Sequence, residues 1–138
     1  MNDASDESEA TTAADSVYTR LGGESAVRAL VERFYALMDT LPEAQGVRRL
    51  HPPTLERAAD RLFKFLSGWF GGPPLYMRER GHPRLRMRHL PFAIGAAERD
   101  QWLQCMRQAL AEQVDDTRLR AAVEQAFVGM ADHMINRP

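Results

Sequence analysis

The run Val27-Arg28-Ala29-Leu30-Val31-Glu32-Arg33-Phe34-Tyr35-Ala36-Leu37-Met38 sets Val27, Leu30, Val31, Phe34, Leu37 and Met38 at intervals of three and four residues. That spacing lines one face of an amphipathic α-helix, which opens after Gly22-Gly23 and stops near Pro42. Moving outward, a short helical turn is expected over residues 43–50. His51-Pro52-Pro53-Thr54 then breaks the chain, because each proline pushes its predecessor out of the helical region, and Thr54 is the expected cap of the next helix. From Leu55 onward Ala58, Ala59, Leu62, Phe65, Leu66 and Trp69 repeat at helical spacing until Gly71-Gly72-Pro73-Pro74 ends the pattern. Residues 75–95 are expected as a loop too polar for the core, with a short helix from Arg84 to Leu90 between two prolines. Ala97 to Val114 is amphipathic again, with Trp102, Met106, Ala109 and Leu110 on one side. Leu119, Val123, Ala126, Phe127, Met130 and Met134 supply the last helical face. No repeat, no sustained heptad and no alternation of period two interrupts this, so the expected fold class is all-α.

The chain has 138 residues, 44% of them hydrophobic and 27% charged, which fits one globular domain large enough to enclose a sizeable cofactor. A net charge of −1 hides an asymmetry. Residues 1–15 carry Asp3, Asp6, Glu7, Glu9 and Asp15 with no Lys or Arg, the composition of a disordered acidic tail preceding a domain over 16–138. No basic start followed by an apolar run marks a signal peptide, and no stretch approaches the roughly 18 apolar residues of a membrane span. A cytoplasmic location is the expectation, with no membrane partner. A single cysteine, Cys105, excludes an internal disulfide and a Cys-based zinc or iron–sulfur site within one chain. It falls on an apolar helical face and reads as core.

Four histidines compete for a chemical role. His51 and His82 each precede proline, and His133 lies near the end of the last helix. His89 differs: it closes a short helical segment with Met87, Leu90, Phe92 and Ile94 beside it. A neutral imidazole in such a dry setting is what a haem iron requires as a ligand, although a lone His is more often a hydrogen-bonded structural residue. The absence of C-x-x-C-H means that any haem is held without covalent attachment. Arg78, Arg80, Arg84, Arg86 and Arg88 crowd the same stretch. They read as a solvated loop, or as anchors for cofactor carboxylates, which an Arg fork matches. Nucleic acid is excluded as a partner by a pI of about 6.4 and the narrow basic footprint. Phe34 and Tyr35 are adjacent on one helix and point about 100° apart, so Tyr35 is free to turn its hydroxyl into a pocket. Trp102 carries an indole N–H that seeks an acceptor if buried. No G-x-S-x-G, Walker A loop or H-E-x-x-H is present.

The run Arg80-Gly81-His82-Pro83-Arg84-Leu85-Arg86-Met87-Arg88-His89-Leu90-Pro91-Phe92, followed by Glu98-Arg99-Asp100-Gln101-Trp102-Leu103, closely resembles the signature of group II truncated haemoglobins. Arg33-Phe34-Tyr35-Ala36 and the Phe70-Gly71-Gly72-Pro73 turn fit the same family in order and separation, so the resemblance runs from about Tyr18 onward. It implies a two-over-two helical sandwich around haem b, with His89 as proximal iron ligand and Tyr35 and Trp102 on the distal side. It further implies Ala58 where many globins carry a distal histidine, Leu62 over the iron, and Phe65 and Phe92 against the macrocycle. Arg61, Arg86 and Arg88 are the candidates for the propionates. His51 stands where family members often have Tyr or Phe, a departure that implies hydrogen bonding to Tyr35 or the ligand, or approach to the iron. The implied ligands are dioxygen, nitric oxide and other diatomic molecules. Two distal donors favour nitric oxide dioxygenase or peroxidase-like chemistry over oxygen transport, with a separate reductase. A monomer or a homodimer fits equally. The competing reading is a cofactor-free helical module that binds an acidic partner through its arginine segment.

Overall fold

The structure is a computed structural model that describes residues 16–138. The acidic tail expected over 1–15 lies outside the described residues. Among the described residues eight α-helices follow in order: α1 Val17–Leu21, α2 Glu24–Thr40, α3 Gln45–Arg48, α4 Glu56–Trp69, α5 Leu75–Arg80, α6 Leu85–His89, α7 Ala96–Gln113 and α8 Thr117–Met134. A 3-10 turn over Pro42–Ala44 leads into α3. No strand occurs among the described residues.

The four long helices form two pairs, α2 with α4 and α7 with α8, and α2 packs most extensively on α7. This is the two-over-two sandwich. Its centre is where the apolar faces meet: Leu30, Phe34 and Met38 of α2, Leu66 of α4, Met106 and Leu110 of α7 and Phe127 of α8 are all less than 2% exposed. Cys105 is buried there too, as expected, and burial pushes its thiol up to about 11, with Glu43 adding to the shift. Outside the core, Arg33 of α2 forks onto Glu112 of α7 at 2.7 and 3.0 Å, and Arg107 of α7 reaches Glu124 of α8 at 2.8 Å.

Three local expectations change. Thr54 does not cap α4; Leu55 holds that position, with no side-chain hydrogen bond, and Glu56 puts a carboxylate in the first turn. Residues 75–95 are not wholly outside the core, because α5 buries Tyr76, and Ile94 is buried as well. Helix α1 adds a turn before the first long helix, opened by the Ser16 hydroxyl accepting from the Thr19 N–H at 3.2 Å. The α1 backbone is held by the Tyr18 N–H donating to the Phe70 carbonyl at 2.9 Å. Glycine is required at position 72, where a Cβ would overlap the Tyr18 ring. Gly71 beside it has a φ of +90°, a conformation that glycine adopts without steric penalty.

Candidate haem and ligand site

Helix α6 is five residues long, begins after Arg84 in the left-handed region (φ 47°) and has no side-chain cap. Its last residue is His89, half-buried. The His89 Nδ1 lies 2.6 Å from the Leu85 carbonyl oxygen one turn earlier. A carbonyl can only accept, so Nδ1 carries the proton and, in the neutral ring, Nε2 keeps its lone pair. No described residue takes that lone pair. A hydrogen bond from one ring nitrogen to a backbone carbonyl is how a metal-binding histidine is oriented and its tautomer fixed. Around it Met87, Leu90 and Phe92 are 53%, 47% and 43% exposed, large apolar side chains with no protein cover. A groove of about 800 Å³ runs between α4, α6 and α8, with Phe65, Trp69, Arg86, Met87 and Met130 among its walls.

Tyr35 and Trp102 are set by the helix pair beneath them. Tyr35 is buried on α2 and its hydroxyl points to the Ala58 carbonyl of α4, a long contact at 3.4 Å. Burial pushes its phenol pKa up, so it stays a donor. The Trp102 ring of α7 is half-buried, edge-on to Phe34 at 5.0 Å and tilted against Phe127 at 5.5 Å between centroids. Its indole N–H has no acceptor among the described residues.

His51 stands against Tyr35, ring to ring at 5.9 Å in an edge arrangement, with no hydrogen bond between the two. Its Nδ1 donates to the Val47 carbonyl at 3.0 Å, which again leaves Nε2 as an acceptor. Burial lowers its pKa, opposed by the Val47 hydrogen bond and reinforced by repulsion from Arg48 and from His89. Two residues without any expected role hold the His51 loop. Arg48 bonds Asp39 at 2.9 Å and donates to the carbonyls of Pro52 and Pro53. Gln101 accepts from the Val47 N–H at 2.8 Å.

The remaining expected residues scatter more. Ala58, Leu62 and Phe65 are half-buried on α4, and Phe65 stacks on Trp69 at 6.0 Å. Arg61 is exposed, without a partner among the described residues, and lines a separate polar cavity of about 520 Å³ with Arg57, Asp60 and Arg80. Arg86 does not join it: its Nη1 donates to the carbonyls of His133 and Ile135, at 2.6 and 3.0 Å. Arg88 donates from Nε to the Pro83 carbonyl at 2.9 Å and lies 6.0 Å from the Tyr76 ring centre. A residue with no sequence signal, Asn136, donates from Nδ2 to the carbonyls of His89 and Phe92 at 3.1 and 2.9 Å.

The bacterial-like globin family model matches residues 16–136. The chain is 36% identical over 119 residues to the group 2 truncated hemoglobin YjbI of Bacillus subtilis, covering 83% of this chain and 85% of that protein. Its structure is similar to that of a cold-adapted truncated hemoglobin from the Antarctic marine bacterium Pseudoalteromonas haloplanktis TAC125. That match has a TM-score of 0.88 and 44% identity, over 90% of this chain and all of the other (100%). A group II 2-on-2 hemoglobin from the plant pathogen Agrobacterium tumefaciens is similar at a TM-score of 0.87 and 44% identity, over 89% and 95% of the two chains.

Proposed function

The chain belongs to the bacterial-like globins as a group II truncated haemoglobin, a membership that implies haem-based binding of small diatomic ligands, and we propose that it holds one haem b non-covalently through His89. The observation that carries the proposal is the His89 ring itself. Its Nδ1–H is spent on the Leu85 carbonyl at 2.6 Å, which leaves the Nε2 lone pair free on a half-buried ring whose chain neighbours are uncovered apolar side chains. That donor set fits a five-coordinate haem iron. Phe65, Leu62, Ala58 and Phe92 form the walls for the macrocycle. Arg61 and Arg88, the first without a partner and the second with its Nη groups unengaged among the described residues, receive the propionates, and Arg86 contributes through the Nε and Nη2 that its contacts to His133 and Ile135 leave over.

When bound, haem would supply an iron that takes a small diatomic ligand and, given an external electron source, redox chemistry. The protein supplies the donors around that position. The Trp102 N–H is unengaged and the Tyr35 hydroxyl is held only by a long contact at 3.4 Å, so both turn to a partly negative ligand oxygen at little cost. Neutral His51 offers the ligand no donor, since its Nδ1–H is held by the Val47 carbonyl, and acts by packing its ring edge against Tyr35. Two donors slow ligand release, which suits chemistry with dioxygen and nitric oxide or with peroxide more than bulk transport. The sequence carries no flavin or nicotinamide motif, so a separate reductase supplies electrons. Among the described residues no helix is long and apolar enough to cross a membrane. The deciding experiment is a haem titration followed by absorption. A Soret band saturating at one haem per chain is expected, and protein that stays colourless after haem addition and gel filtration would overturn the proposal.

A further inference from the structure

We propose that Asn136 is a positioning residue for the proximal ligand, fixing His89 in space by clamping α6 and the loop after it onto the end of α8. The inference rests on the reading of His89 as the haem ligand. A helix of five residues is far below the length that sustains itself in water, and α6 also lacks a side-chain cap. The Leu85 carbonyl fixes how the His89 ring is turned within α6, but nothing inside α6 fixes where that helix sits.

The segment after α8 does so. Asn136 Nδ2 donates to the His89 carbonyl, which also accepts from the Phe92 N–H at 3.0 Å, and to the Phe92 carbonyl in the loop beyond the short helix. Its Oδ1 accepts from the Ile94 N–H at 3.0 Å, and the backbone N–H groups of Asn136 and Arg137 both donate to the Ile94 carbonyl, at 2.9 and 3.1 Å. At the other end of α6, Arg86 reaches the carbonyls of His133 and Ile135. One amide thus engages the ligand residue's own carbonyl, a second carbonyl three residues on, and a backbone N–H two residues beyond that. Only a primary amide combines both donors with the acceptor at this size. A carboxylate of the same shape keeps the bond from Ile94 and sets negative charge against two carbonyls.

The test uses the full haem-loaded protein with Asn136→Asp, beside wild type and His89→Ala. Resonance Raman of the ferrous, ligand-free state reads the iron–histidine stretch, and transfer of haem to excess apomyoglobin reads its loss. Asn136→Asp is expected to shift or broaden that band and to speed haem loss about tenfold, the equivalent of one to two hydrogen bonds. If Asn136→Asp does not fold, Asn136→Ala removes the same donors without adding charge and is read in the same way. A variant that lowers the unfolding temperature yet leaves band and haem loss unchanged would overturn the proposal, because the clamp would then be structural only. His89→Ala separates the two readings. Loss of the band there with no effect at Asn136 refutes the clamp alone, whereas a band that survives in His89→Ala refutes the ligand assignment.

Discussion

Trp102→Phe separates what the indole packs from what it donates. The phenyl ring retains the edge contact to Phe34 and the tilted contact to Phe127, which the indole makes at 5.0 and 5.5 Å between ring centres. Roughly 40 Å² of apolar surface is lost, worth about 1 kcal/mol of stability at the usual 25 cal/mol per Å². No protein acceptor is orphaned, since the N–H has none among the described residues. A hydrogen bond to a partly charged ligand oxygen is worth about 1.5–3 kcal/mol, and each 1.4 kcal/mol or so is tenfold. Oxygen release, measured by stopped-flow mixing of the oxygenated ferrous protein with a scavenger, is therefore expected to speed up by roughly 10- to 150-fold. Tyr35→Phe should have a smaller effect, at most about tenfold, because its hydroxyl must leave the Ala58 carbonyl to reach the ligand. A Trp102→Phe release rate within twofold of wild type, with a normal Soret band, would refute the assignment of the main donor.

Phe34→Ala removes a fully buried ring at the meeting point of α2 and α7 and should cost about 3–5 kcal/mol in chemical denaturation; a loss below about 1 kcal/mol would mean the core is not centred there. His51 is kept neutral by burial, so its folded-state pKa lies below its ordinary value near 6.5. The unfolded chain then binds more protons below that pH, and the stability this group contributes is complete above about pH 6.5 and lost as the pH falls toward the folded value. The unfolding temperature of wild type should consequently fall more between pH 7 and 5 than that of His51→Phe, and parallel curves would contradict this. Ser67→Ala deletes the buried hydroxyl that donates to the Pro73 carbonyl at 2.7 Å. Because Leu75 N–H also donates to that carbonyl, urea unfolding should show a cost of only about 1 kcal/mol, and a several-fold larger loss would point to a wider collapse of the turn.

The long helices were legible because Val27 to Met38, Ala58 to Trp69, Trp102 to Leu110 and Leu119 to Met134 each carry a full apolar face, and periodicity over several turns is a strong local signal. Helices α1 and α5 were not, since five or six residues give no period to count. Thr54 is a good cap by residue type, but the Pro52-Pro53 turn leaves it exposed and the helix starts one residue later. The expected site residues came from a contiguous signature around His89 plus positions on α2, α4 and α7. What holds them in place was hidden: Gln101 meets Val47 across 54 positions, Asn136 meets His89 across 47, and Arg86 meets His133 across 47. Such contacts depend on how helices dock, and no local pattern records them. The same docking separates Arg61 from Arg86, which sequence alone treats as equivalent.

The central claim, that the Nε2 of His89 holds the haem iron, is tested most directly by His89→Gly with and without added imidazole. The account predicts that the ferrous variant loses the iron–histidine stretch and most of its haem, and that imidazole entering the vacated space restores haem retention and an iron–imidazole band. A variant that retains haem and an unaltered stretching band without imidazole would contradict it.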